Sequence, residues 1–285
     1  MLVLRRVALV AIVAFATACS IAAQPSPGPA GPEPIGDVEP AQPGEPTEGA
    51  REEEGNTAPD DDPGPDSKPE PTAPGDILGT LTGSCGIVKT QLAKTTPTLE
   101  KNALSFAAGE TYEEASLSAD GQRIMTTPNA GGSSVESEVM SFEVLRACEG
   151  AKLLKTETEV EYLDDTTGPS TDILVEIEGK KIGVSVTRAY RPSNLAFPDA
   201  DVKTLIQKKL DDIQKSSARV KPKDKWVKQI LHVFASNKAQ ADAVVRVLPT
   251  IDAAIRANTI VLLTQTSGGG FVYCNPDPPL GSECP

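Results

Sequence analysis

The segment 170–190 constrains the fold of this 285-residue chain more than any other stretch. It reads STDILVEIEGKKIGVSVTRAY, in which apolar and polar residues alternate on both sides of a central Glu-Gly-Lys. Alternation with a period of two is typical of β-strands, and a glycine between two such strands indicates a tight turn. The sequence therefore predicts a β-hairpin, with strands over residues 171–177 and 181–188.

The two faces of this hairpin differ in character. A two-residue turn pairs odd-numbered residues of the first strand with even-numbered residues of the second, which gathers the apolar side chains on one face. These are Ile173, Val175, Ile177, Ile182, Val184 and Val186. The opposite face holds Asp172, Glu176, Ser185 and Thr187. A polar face of this kind is either a metal site for phosphodiester chemistry or an ordinary solvated face, and both interpretations stay open.

Signals for helices and strands continue on both sides of the hairpin. In order they predict a helix over 135–148, a strand over 152–163, the hairpin, a helix over 200–219, a strand within 226–235, a helix over 238–248 capped by Ser236, and a buried strand over 259–265. This order predicts an α/β domain over 135–266, with a mixed central sheet flanked by helices. Residues 77–134 form a weakly patterned extension with a helix within 87–104, and 267–285 form a Gly/Pro/Cys tail.

The N-terminal residues indicate export. Residues 1–23 combine two arginines with an apolar run that is too short to span a bilayer. The run ends in Ala-Thr-Ala-Cys at 16–19, which resembles a bacterial lipobox. The resemblance implies a lipidated Cys19 as the mature N-terminus. The next residue is Ser20 rather than an aspartate, which by the same resemblance favours the outer membrane as the location. Ordinary cleavage near Ala23, giving a soluble secreted protein, is the alternative.

Residues 24–76 are predicted to be a disordered linker. They hold 14 of the 25 prolines and 14 acidic residues against two basic ones, and no aromatic residue. Such a segment cannot bury enough apolar surface to offset the entropy lost on ordering. The whole chain carries a net charge of −13, and nearly all of it belongs to this linker. The acidity therefore says little about the partners of the folded domain.

Four further cysteines follow the linker: Cys85, Cys148, Cys274 and Cys284. An even number in an exported chain indicates two disulfides with three connectivities, and a local bridge between Cys274 and Cys284 is one of them. Cys148 ends a predicted helix, so a buried free thiol is the alternative there. Because no CxxC pair and no cysteine–histidine cluster is present, the sequence predicts no structural zinc. The single histidine, His232, lies within an apolar strand and is predicted to occupy the core.

The element order, together with an aspartate on the outgoing strand of the hairpin, resembles the PD-(D/E)XK, or restriction-endonuclease-like, superfamily over residues 135–266. In that family an Asp and a Glu bind Mg²⁺, and a lysine two residues after the Glu activates water. The resemblance implies Asp172 as the metal ligand and Glu138 as the acid of the first helix. The family's Glu and Lys positions fall on Ser185 and Thr187. Neutral hydroxyls replace both groups, so the resemblance supports the fold better than the activity.

Two other sets of residues bear on function. A migrated catalytic site would combine Glu138, Asp172, Glu176 and Lys181. A basic stretch over 203–228 has nine Lys/Arg against three acids, which favours contact with phosphate groups, with an ordinary solvated helix face as the alternative. The predicted polyanion-binding residues are Lys203, Lys208, Lys209, Lys215 and Arg219.

These observations favour an exported, lipid-anchored envelope protein that carries a catalytically degenerate nuclease-like domain. This domain would bind a polyanion such as nucleic acid, or an unknown protein partner, without a cofactor. The first alternative is an active Mg²⁺-dependent nuclease of the periplasm or cell surface. The second is a structural envelope protein.

Overall fold

A seven-stranded mixed sheet organises the chain in the computed structural model, which describes residues 76–130, 135–164, 168–192 and 194–273. The strands are β1 (Thr80–Gly83), β2 (Thr98–Ser105), β3 (Lys152–Thr156), β4 (Ile173–Ile177), β5 (Lys180–Arg188), β6 (Lys228–Ala235) and β7 (Thr259–Ser267). Their order across the sheet is β1-β2-β7-β6-β5-β4-β3. The four central strands β2, β7, β6 and β5 are parallel, and β1, β4 and β3 pair antiparallel at the two edges.

Helices cover both faces of the sheet. They are α1 (Val88–Gln91), α2 (Ala119–Thr126), α3 (Val135–Glu149), α4 (Asp199–Arg219), α5 (Lys238–Val247) and α6 (Ala253–Arg256). Helices α2 and α3 pack on one face, against the apolar side chains of β4 and β5. Helices α4 and α5 pack on the other, against β6 and β7. Among the described residues no helix is long and apolar enough to cross a membrane.

The predicted fold class and element order are confirmed. Apart from the four-residue α6, the order from α3 onward is helix, three strands, helix, strand, helix, strand, around a mixed sheet. The predicted face of the hairpin is also correct, because all six of its apolar side chains belong to the core beneath α3. Glu178 and Gly179 form the turn with φ of 50° and 69°, and two positive φ values are what a tight turn between twisted strands requires.

Two local predictions are wrong, and a third holds only in part. The helix expected within 87–104 is the four-residue α1, and residues 98–105 form β2 between β1 and β7. The strand predicted over 152–163 ends at Thr156, where the Glu159 carboxylate accepts the backbone N–H of Thr156 at 2.9 Å and a 3₁₀ turn begins. Helix α5 is capped by Asn237 rather than Ser236, since the Asn237 side chain accepts the N–H of Gln240 at 3.0 Å.

The extension over 77–134 contributes β1 and β2 to this sheet, which therefore reaches beyond residues 135–266. A disulfide joins Cys85, which follows β1, to Cys148 near the end of α3. The alternative of a free thiol at Cys148 is thus wrong. Glu149, next to this bridge, accepts the backbone N–H groups of Val88 and Lys89 at 3.3 and 3.0 Å and so holds the start of α1. Cys19, Cys274 and Cys284 lie outside the described residues.

Candidate functional site

Asp172 lies immediately before β4, on the side of the sheet that faces α4. Its backbone N–H donates to the Val184 carbonyl at 3.0 Å, and its Oδ2 accepts the N–H of Val186 at 2.5 Å. The side chain therefore bonds to the returning strand of its own hairpin. Burial raises the pKa of Asp172 to about 6, and the nearby Lys209 ammonium opposes this rise. A carboxyl of this kind changes its charge close to neutral pH.

Ser185 and Thr187 lie on the same face of β5 as Asp172. The register places Asp172 opposite Ser185, because Ile173 pairs with Val184. Both hydroxyl residues are buried, with 5% and 8% of their surface exposed. The polar face of the hairpin is thus covered at these two positions, so the prediction of an ordinary solvated face is wrong there.

This set of groups does not fit a divalent cation. Magnesium is held by carboxylate oxygens with octahedral geometry, whereas Asp172 contributes one carboxylate, already bonded to a backbone N–H. Its neighbours across the hairpin are neutral hydroxyls, and the charged group that acts on it most strongly is a lysine. In the parts of the chain that the structure describes, no group of three or more His, Cys, Asp or Glu residues could hold a metal ion.

Glu176 and Lys181 lie at the other end of the hairpin, beside the turn. They pair across β4 and β5, and the Lys181 ammonium donates to the carbonyl of Lys223. Glu176 is four residues along the strand from Asp172, which corresponds to about 13 Å. The predicted migrated site of Glu138, Asp172, Glu176 and Lys181 is therefore not brought together.

Glu138 lies in the first turn of α3 and is 5% exposed. The Asn129 amide donates to its two carboxylate oxygens at 3.3 and 3.4 Å. Arg188, at the end of β5, lies within electrostatic reach of Glu138 and of Glu136, and its guanidinium donates to the Tyr273 carbonyl at 3.0 Å. Burial lowers the pKa of Arg188 and raises that of Glu136.

This pairing of Arg188 with the start of α3 was missed from the sequence. The available signal was strand alternation, which sends Arg188 to the face opposite Thr187. The interaction with Glu136 and Glu138 agrees with that rule. What the sequence could not show is that the first turn of α3 lies over the end of β5.

The predicted basic residues of α4 fall into two groups. Lys208 pairs with Asp212 at 2.7 Å and Lys215 with Asp211 at 2.5 Å, both on exposed parts of the helix. Arg219 is largely buried, pairs with Asp164 at 2.8 Å, and lies 5.1 Å above the ring of Tyr162. Lys209 acts on Asp172, as described above. The five residues therefore do not form one uniform basic surface.

Lys203 lies on the exposed side of α4. No carboxylate lies within 4 Å of its ammonium among the described residues. It borders an open cavity of about 560 Å³ together with Thr204, Gln207, Lys208, Asp211 and Ile255. Of the predicted basic residues, only Lys203 and Lys208 line this cavity.

His232 is fully buried in β6, as the sequence predicts. Its Nδ1 lies 2.8 Å from the Ser141 hydroxyl and its Nε2 lies 2.7 Å from that of Thr264. The Thr264 hydroxyl donates its single proton to Asn102, so it accepts from Nε2–H, and Nδ1 accepts from Ser141. Burial lowers the pKa of His232 to about 3. This neutral histidine links α3, β6, β7 and β2.

The fold and these contacts define a mixed α/β protein in which one partly buried aspartate, Asp172, lies on the polar face of the hairpin. No protein-family profile matches the chain. In an alignment of 164 residues that covers 55% of this chain, the chain is 42% identical to the AAC-rich mRNA clone AAC4 protein of Dictyostelium discoideum. It covers 24% of that protein, so it spans about a quarter of the relative's length.

One solved structure also resembles the chain. It is SfsA of Pyrococcus furiosus in complex with Ca²⁺, and the match covers 50% of this chain and 70% of SfsA. The identity is 16% and the TM-score is 0.25. Neither of these likenesses assigns an activity to the chain.

Proposed function

We propose that this chain is an exported, lipid-anchored protein whose folded domain is restriction-endonuclease-like, lacks nuclease activity and binds a polyanion through α4. The proposed ligand is a nucleic acid or another chain of closely spaced negative charges. The predicted linker over 24–76 would hold this domain away from a membrane anchored at Cys19. A protein partner and a purely structural role are the competing interpretations.

The environment of Asp172 is the observation that carries the non-catalytic part of this proposal. In the resembling family the corresponding carboxylate shares a metal ion with a second acid, and a lysine follows on the same strand. Here Ser185 and Thr187 stand at those positions, and Val186 N–H occupies an oxygen of Asp172. A hydroxyl pair supplies neither the charge that holds a metal nor the cation that stabilises a transition state.

The side chains on the exposed side of α4 support the proposed binding of a polyanion. Lys203 and Lys208 border the same cavity, and Lys203 has no carboxylate within 4 Å among the described residues. The pair between Lys208 and Asp212 is exposed, and such pairs contribute about 0–1 kcal/mol. A ligand with several phosphates or sulfates can therefore replace Asp212 as the partner of Lys208 at little cost.

The Cys85–Cys148 disulfide supports export. Structural disulfides persist in oxidising compartments and are rare in the cytosol. The bridge joins the residue Cys85, just after β1, to α3, so it belongs to the folded domain. This agrees with the signal-like residues 1–23.

A cleavage assay tests the non-catalytic part. The full chain is incubated with single- and double-stranded DNA and with RNA, with Mg²⁺, Mn²⁺ or EDTA, beside Asp172→Ala. We expect shifted but uncut nucleic acid in every lane. Metal-dependent cleavage by the natural chain that Asp172→Ala abolishes would show an active nuclease and overturn the proposal.

Mass spectrometry of the mature protein tests the anchor. We expect an N-terminal peptide that begins at Cys19 and carries the added mass of acyl chains, and its loss in Cys19→Ser. An unmodified peptide that starts after Cys19 would establish ordinary secretion and contradict the lipid anchor, while leaving the test of the folded domain unaffected.

A further inference from the structure

A second cavity, of about 240 Å³, lies between the start of β2 and the residues that join α5 to α6. Its walls are mostly apolar and include Leu99, Val245, Leu248, Pro249 and Val261. Leu248 and Val261 belong to the core under α5, whereas Leu99 and Val245 are partly exposed at its border. The cavity is thus an apolar recess that opens from the core to the surface, and it shares no lining residue with the α4 cavity.

One cation stands at this recess. Arg256, the last residue of α6, lines it, and its Nε donates to the Ile251 carbonyl at 2.9 Å. That bond fixes the plane of the guanidinium, and its two terminal amino groups have no hydrogen-bond partner among the described residues. No carboxylate of this part of the chain lies within 4 Å of them. A fixed guanidinium with two free N–H groups matches the two oxygens of a carboxylate.

An unsatisfied hydroxyl stands in the same wall. Thr98 lines the recess, and its buried Oγ1 has no hydrogen-bond partner among the described residues. A buried hydroxyl without a partner costs free energy. Rotation about χ1 can move the Thr98 hydroxyl into the position that its methyl group occupies, where a ligand oxygen in the recess would provide the missing partner.

We propose that this recess binds a small monocarboxylate with a short apolar tail. The tail would lie against Leu99, Val245 and Val261, and the carboxylate would bind Arg256 with help from the Thr98 hydroxyl. A single cation favours a ligand with one negative charge over a polyanion. The proposal does not depend on the proposed function, because it uses different residues and a different ligand.

The volume limits the size of this ligand. At about 30 Å³ for each water-sized group, 240 Å³ holds about eight non-hydrogen atoms. Hexanoate has this size and is the probe of choice. A ligand this small that fills an apolar recess and makes one charged contact binds with a Kd on the order of 1 mM.

Titration of the full chain, followed through the methyl NMR signals of its valines and leucines, tests the proposal. Sodium hexanoate is compared with hexan-1-ol and hexylammonium chloride, which have the same tail and a neutral or positive head. We expect saturable shifts with hexanoate, and at least about tenfold weaker binding of the other two, because they lack the contact with Arg256.

Four variants locate the site. Arg256→Gln removes the charge, isosteric Thr98→Val removes the hydroxyl, and Val245→Phe fills the recess. Arg246→Gln is the matched control, since Arg246 is an exposed arginine that pairs with Asp199 away from the recess. We expect hexanoate to bind about tenfold more weakly to Arg256→Gln and about fivefold more weakly to Thr98→Val. We expect no binding to Val245→Phe and unchanged binding to the control Arg246→Gln.

Two results would overturn the proposal. One is equal binding of hexanoate and hexan-1-ol, which would show that Arg256 does not recognise the head group. The other is the absence of saturable shifts, or shifts that persist in Val245→Phe, which would place any binding elsewhere. If Val245→Phe fails to fold, Thr98→Val locates the site instead, because it keeps the volume of the side chain. Unchanged hexanoate binding in Thr98→Val would then contradict the proposal.

Discussion

Two ionisable residues with shifted pKa values, Asp172 and His232, respond to acid in opposite directions. Asp172 binds a proton more readily in the folded state, because its pKa rises to about 6. His232 binds a proton less readily, because its pKa falls to about 3. Between pH 6 and pH 4 their effects on the free energy of unfolding therefore partly cancel. Single substitutions separate the two effects. The contributions of all other ionisable groups cancel when the free energy of unfolding of a variant is subtracted from that of the natural chain.

For Asp172 we expect the natural chain to gain stability as the pH falls from 6 to 4, relative to Asp172→Asn. The folded state takes up a proton near pH 6 and the unfolded state only near 3.8, so the gain is complete below 3.8 and lost as the pH rises through 6. The difference in the free energy of unfolding between the two proteins should change by at most about 1.4 kcal/mol per pH unit. Urea unfolding of both proteins at several pH values measures it. A constant difference between them would contradict the raised pKa.

For His232 we expect the reverse sign. The unfolded histidine takes up a proton near pH 6.5, whereas the folded one stays neutral until about pH 3. The free energy of unfolding of the natural chain should therefore fall, relative to His232→Gln, as the pH drops below 6.5. At pH 7 the variant should be less stable by about 1–3 kcal/mol, because Ser141 and Thr264 lose a well-placed partner. A difference in the free energy of unfolding between the two proteins that grows as the pH falls would contradict this prediction.

At the scale of elements, what the sequence could predict depended on local pattern. The hairpin and α4 carry their own periodicity, and both were predicted within two residues of their observed ends. Strand β2 carries no such pattern, because its sequence TLEKNALS does not alternate apolar with polar residues, and the polar Asn102 is buried together with Leu104. Its strand conformation comes from pairing with β7, more than 150 residues later, and no local signal reports a contact of that range.

The disulfide ties these elements together, and its removal should be costly. It closes a loop between residues 63 apart, which corresponds to about 4 kcal/mol of chain entropy in the unfolded state. We expect Cys85→Ser/Cys148→Ser, or reduction of the natural chain, to lower the free energy of unfolding by this order.

Guanidinium unfolding with and without dithiothreitol measures the effect of the disulfide. The double variant should be insensitive to the reductant, which makes it the control for effects of reductant elsewhere. Equal stability of the oxidised and reduced natural chain would show that the bridge adds nothing to the fold.

At the scale of the whole molecule, the class of the sheet could be predicted from the sequence, whereas the contacts of the candidate site could not. The position of Asp172 followed from the hairpin register, but its contacts with Val186 and Lys209 depend on how β5 and α4 meet, which the sequence does not specify. The same limit applies to α4, where acids one turn away already pair with Lys208 and Lys215. The proposal accordingly rests on Lys203 and Lys208 rather than on the number of basic residues.

The salt dependence of DNA binding tests the polyanion claim most directly. Fluorescence anisotropy of the full chain with a labelled duplex is measured between low and physiological salt, for the natural chain, Lys203→Glu/Lys208→Glu and Lys101→Glu/Lys238→Glu. The last pair is the control, because it reverses two exposed lysines away from the α4 cavity.

We predict that log K falls linearly with log salt, by about 0.9 for each phosphate contact. The slope should drop by about two units in Lys203→Glu/Lys208→Glu and stay unchanged in the control. Equal slopes in the two double variants, or no binding at low salt, would contradict the account.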